Sequence, residues 1–66
     1  MTIRSITRSS WKVLVEDRVM GYVRVDGEWY VAVVARRDVA RVGSLEEAAK
    51  AVVDLTVSRF NFLEVD

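Results

Sequence analysis

The sequence predicts an α+β domain: a three- to four-stranded antiparallel meander with one C-terminal helix packed on one of its faces. Three observations carry this expectation. Apolar and polar residues alternate with a period of two from Trp11 onward. Asp26-Gly27 stands between two β-branched and aromatic runs, which is the strongest short hairpin signal. Ser44-Leu45-Glu46-Glu47 then opens a run of strong helix formers.

Taken in order, residues 1–10 read as an arm or a leading strand, because hydroxyl side chains dominate and Ile3 and Ile6 do not share a strand face. Trp11, Val13 and Val15 alternate with Lys12, Leu14 and Glu16 to give the next strand. Glu16-Asp17-Arg18 follows as a turn. A further strand runs from Val19 to Val25, turns at Asp26-Gly27, and returns from Glu28 to Ala35. Arg36-Arg37-Asp38 is a looser turn before a short strand at Val39 to Val42. The antiparallel sheet thus spans 11–43. A helix over 44–59 begins with a capping box in which the Ser44 hydroxyl accepts the Glu47 amide and Glu47 reaches back to the Ser44 amide. Leu45, Ala48, Ala49, Val52, Leu55 and Thr56 recur at helical spacing and mark its buried face. Residues 60–66 are expected as a tail or short strand. The whole, 1–66, reads as a single small domain.

Composition removes several classes of function. The chain of 66 residues has neither cysteine nor histidine. Disulfides, thiolate nucleophiles and histidine-based triads are therefore excluded. The paired acids Glu16/Asp17 and Glu46/Glu47 lie in a turn and at a helix start, where solvation and capping explain them. Ser9, Ser10, Ser44 and Ser58 have no histidine to activate them. No catalytic residue, metal ligand or cofactor is expected, and the chain is read as not an enzyme. Trp29 to Ala35 is the longest apolar run at seven residues, against the ~20 that span a bilayer. No membrane segment or signal peptide is expected, and the expected localisation is cytoplasmic. A small accessory protein of a bacterium or phage would have this character.

Charge is balanced overall, with ten basic and ten acidic groups, but unevenly placed. Residues 1–45 hold eight basic and five acidic groups, a net +3, and residues 46–66 hold two and five, a net −3. Apolar residues make up 52% of the chain, and fourteen residues are valine. That is a surplus for so small a domain.

With Asp26-Gly27 as the loop, Val25 pairs with Glu28, Arg24 with Trp29, and Val23 with Tyr30. One hairpin face then carries Met20, Tyr22, Arg24, Trp29, Val31 and Val33. The other carries Val23, Val25, Glu28, Tyr30, Ala32 and Val34. Both are largely apolar, and one helix covers only one of them. The expectation is that Val23, Val25, Tyr30, Ala32 and Val34 form a face for a protein partner or a homodimer. Trp29 is expected in the core, with a cation–π pair to Arg24 as the alternative. A second functional reading is nucleic-acid binding through Arg4, Arg8, Arg36, Arg37 and Arg41, with Tyr22, Trp29 or Tyr30 stacking on bases.

The stretch Gly21-Tyr22-Val23-Arg24, Trp29-Tyr30-Val31-Ala32 and Gly43-Ser44-Leu45-Glu46-Glu47-Ala48-Ala49-Lys50-Ala51 resembles two families built as strands followed by a helix. In HicB-type antitoxins, to which Asp26-Gly27-Glu28-Trp29-Tyr30-Val31-Ala32 and Gly43-Ser44-Leu45-Glu46-Glu47-Ala48 are similar, the domain oligomerises and covers a toxin. The resemblance implies a protein partner and self-association. The runner-up is the plant ethylene-response-factor DNA-binding domain, whose sheet reads DNA with arginines. Arg24 would match its Gly-Val-Arg arginine. Tyr30, Ala32 and Val34 stand where that family places acidic and arginine side chains.

Overall fold

A computed structural model describes the backbone of residues 1–65 and the side chains of residues 1–56. Five strands, rather than three or four, form the sheet: β1 (Thr2–Thr7), β2 (Ser10–Val15), β3 (Arg18–Asp26), β4 (Trp29–Val34) and β5 (Arg37–Val42). They follow one another as an antiparallel meander in the order β1-β2-β3-β4-β5. One helix, α1 (Leu45–Val65), completes the fold. Among the described residues, no helix is long and apolar enough to cross a membrane.

Of the two alternatives for residues 1–10, the leading strand forms and the arm does not. They pair as β1 because a bulge absorbs the broken alternation. Ser5 stands opposite Trp11 and Thr7 opposite Ser10, so Ile6 is an extra residue in β1. Ile3 thus packs on the core while Ile6 stays 50% exposed. Similar shifts make Met20 an extra residue in β3 and Val39 one in β5. The turn after β1 is tied to the sheet where the Val25 amide donates to the Ser9 carbonyl at 2.8 Å.

The central hairpin turns one residue later than the sequence suggests. Asp26 pairs with Trp29, Val25 with Tyr30, Arg24 with Val31 and Val23 with Ala32, leaving Gly27-Glu28 as the loop. Gly27 alone takes a positive φ there, at 62°, and a glycine at the first central position is the signature of a type II′ turn. Each residue gains a partner two positions further along. A shift of two keeps the paired side chains on their predicted faces, since the pleat has a period of two, whereas Met20, expected beside Tyr22, is carried by its bulge onto the core side. The geometry expected at Asp26-Gly27 occurs elsewhere. Glu16-Asp17 and Ala35-Arg36 both have positive φ at two successive residues, between 52° and 66°.

The helix opens with one half of the expected capping box: the Glu47 amide donates to Ser44 Oγ at 3.2 Å and the Ala48 amide to the Ser44 carbonyl at 3.1 Å, while the Glu47 carboxylate does not return to the Ser44 amide. It does not stop near Arg59. Residues 60–65 continue it to Val65 instead of forming a tail or strand, and Asp66 lies outside the described residues. Ala48, Ala49 and Val52 are fully buried against Val13, Val23, Ala32 and Val34. This is the core. Further along, the Thr56 hydroxyl shares its hydrogen between the Val52 carbonyl at 2.8 Å and the Met20 carbonyl at 3.3 Å. The helix is thereby tied to the bulge in β3.

Candidate functional site: the open face of the sheet

The helix covers the face that sequence reasoning assigned to a partner. Of that set, Val23 and Ala32 are fully buried and Val34 is 7% exposed, all within the helix–sheet core. Tyr30 packs against the same core and its ring lies 5.8 Å from that of Trp11. Val25 is half-buried on the same side. Val23, Tyr30, Ala32 and Val34 belong to the packing beneath the helix, and with Val25 half-buried the five are not an exposed docking surface.

The reason lies in the charges. On the helix side, the central cross-strand rows are Ile3–Val13–Gly21, Ser5–Trp11–Val23–Ala32–Ala40 and Val25–Tyr30–Val42, while Arg18 and Arg37 stand only at the strand ends, opposite Val15 and Val34. None of the central-row side chains is charged, and the two terminal arginines remain exposed. On the opposite side, one row reads Arg4–Lys12–Tyr22–Val33–Asp38 and the next Thr7–Ser10–Arg24–Val31–Arg41, with Asp26 and Trp29 paired beyond them. Covering this side with a helix would strip water from six charges, at several kcal/mol per unpaired ion. Burying the central rows of the helix side costs no such desolvation.

The open face has its own organisation. Arg24 Nη2 donates to Asp38 Oδ2 at 2.6 Å, and Arg41 donates to Asp26. Both ion pairs cross over β4, in opposite directions along the sheet. Between them lies Val31, which faces away from the helix yet is only 2% exposed. Arg24 and Arg41 flank it in register on the two neighbouring strands, where long aliphatic stems cover a small residue between them while the guanidinium groups stay hydrated. The partners retain 46–58% side-chain exposure, so each pair contributes at most about 1 kcal/mol. Their structural effect is to fix where the charges stand.

Two aromatic rings flank this patch. Tyr22 and Trp29 are each 46% exposed, so Trp29 is not a core residue. Nor does Arg24 sit opposite it: Arg24 is in register with Val31, and its guanidinium goes to Asp38. Val33, half-buried, lies directly opposite Tyr22.

The five arginines proposed from sequence as nucleic-acid contacts do not form one group. Arg8 lies in the turn between β1 and β2, at one end of the sheet. Arg36 and Arg37 lie at the turn between β4 and β5, at the other end. Arg41 is on the open face and paired with Asp26, and Arg4 is on the same face at the β1 edge. Sequence reasoning missed Lys12, which stands directly opposite Arg4 and beside Tyr22. The signal was present in the alternation of β2, where Lys12 takes the parity opposite to Trp11 and Val13. Among the described residues, no group of histidine, cysteine, aspartate and glutamate side chains is arranged to hold a metal ion.

Comparison with protein-family models finds no match, and none is found among curated proteins or solved structures.

Proposed function

We propose that this chain is a non-enzymatic binding module whose working surface is the open face of its sheet. The supporting observation is the asymmetry of the two faces. One is sealed by the helix, while the other presents Tyr22 and Trp29 at 46% exposure beside Arg24, Arg41, Lys12 and Arg4. Tyrosine, tryptophan and arginine are the residue types that dominate binding hot spots, because they combine large contact area with a polar tip. A regulatory or accessory role, with a macromolecular partner and in the cytoplasm, fits this surface and the cysteine-free composition.

Amide NMR tests the reading directly. Spectra are recorded over a concentration series of the chain alone and in titrations with short nucleic acids. Signals of Lys12, Tyr22, Arg24, Trp29 and Val33 are expected to move together. Shifts confined to the outer side of the helix, at Glu46, Lys50 and Asp54, would overturn it.

A further inference from the structure

Resting on that reading, we infer that the open face binds a single-stranded nucleic acid, with its phosphates along Arg4 and Lys12 and its bases on Tyr22 and Trp29. The first argument is an electrostatic cost within the sheet. Arg4 and Lys12 are direct cross-strand neighbours in β1 and β2. Like charges placed directly opposite are destabilising. Among the described residues, the ion pairs are Arg24–Asp38 and Arg41–Asp26, and neither relieves this pair. The face as a whole carries four cations against two carboxylates, a net +2, and both carboxylates are already engaged. A polyanion is the complement of such a surface.

The second argument is the row itself. Lys12 is in register with Tyr22, which places a cation and a half-exposed ring side by side on adjacent strands. Trp29 lies on β4 two residue pairs from Val33, the partner of Tyr22. The two rings are thus about 13 Å apart along the strands. Arg24 stands in the row between them, and the hydroxyls of Ser10 and Thr7, which bond to each other at 2.7 Å, continue that row outward on β2 and β1. A basic flank with spaced aromatic platforms is how single strands are bound without base-specific contacts, since every base offers a π face.

Charge favours this occupant over a second copy, because a second copy docked face to face would bring the same net +2 surface against this one.

The test is fluorescence anisotropy of a labelled oligothymidylate, with the matching oligouridylate and a mixed-sequence duplex alongside, titrated with the whole chain over a salt series. Binding of both single strands is expected, weakening linearly in log salt. Tyr22→Leu and Trp29→Leu should each weaken it roughly fivefold or more, the stacking of one base. Arg4→Ser with Lys12→Ser should flatten the salt dependence. Arg36→Ser with Arg37→Ser, at the far turn, should leave affinity nearly unchanged. Far-UV circular dichroism confirms that each variant is folded, and the substituted side chains are exposed or on the open face. Absence of binding at low salt overturns the inference, as does equal loss in the far-turn variant. So does duplex binding that is indifferent to Tyr22 and Trp29. If the oligonucleotide fails while open-face amides shift with chain concentration, the nucleic-acid inference falls and the open-face reading survives. If an oligonucleotide moves only signals elsewhere, both fall.

Discussion

Gly21 lies where the helix packs tightly against the sheet. A Cβ added there would stand 2.5 Å from the Val33 carbonyl oxygen and 2.7 Å from Val52 Cγ1. The first contact is with backbone and cannot give way. The second is with a fully buried side chain of the core. Gly21→Ala therefore has to lift the helix or distort β4, and overpacking of this kind costs about 1–3 kcal/mol. Urea denaturation is expected to show a lower midpoint with an unchanged slope. Stability equal to the parent would mean the helix is not seated on this residue. Arg24 and Arg41 act differently. Their ion pairs are exposed, and their packing effect is the shielding of Val31.

Among the elements, the turns hold an unused margin of stability. Ala35 and Arg36 both adopt left-handed conformations, with φ of 53° and 66°. For residues with a side chain, that conformation costs about 1–2 kcal/mol, whereas glycine takes it freely. The greater flexibility that glycine gives the unfolded chain offsets part of the gain. Arg36→Gly should therefore raise stability by about 0.5–1 kcal/mol, a rise in Tm of several degrees for a domain this small. A fall in Tm on calorimetry would show that Arg36 makes a contact outweighing its strain. The bulges are a second device at this scale. Both edge strands carry one, at Ile6 in β1 and Val39 in β5. A bulge interrupts the regular edge that would otherwise pair with another chain. The open face, and not the edge, is thereby left as the broad surface for contact.

The whole molecule is a two-layer structure in which neighbouring residues of one strand have opposite fates. Tyr22 and Val23 show this most directly. Tyr22 is 46% exposed on the open face, and Val23 is fully buried beneath the helix. Tyr22→Lys should leave the fold intact, with its effect confined to binding. Val23→Lys would strand a charge in the core, a cost of about 3–5 kcal/mol. That is comparable to the entire stability a domain of this size is expected to have. Far-UV circular dichroism at room temperature is expected to show a folded Tyr22→Lys protein and a largely unfolded Val23→Lys protein. If Val23→Lys remained folded while Tyr22→Lys did not, the assignment of the two faces would be reversed.

The sequence by itself determined the local elements and the parity of each central strand. The capping box at Ser44, the alternation in β2 to β4 and the Asp26-Gly27 signal depend on neighbours a few residues apart, so they can be read along the chain. Parity survived even the misplaced turn, because the register error was two residues and not one. Which face the helix takes was decided only by the tertiary structure. Within the hairpin alone the two faces look equally apolar. The difference appears once Lys12 of β2 and Asp38 and Arg41 of β5 are brought into register beside them. That register depends on the bulges at Met20 and Val39, which no local pattern marks. Charge summed across strands thus chose the buried face. The same sum brought Arg4, Lys12, Tyr22 and Trp29 onto the face left open.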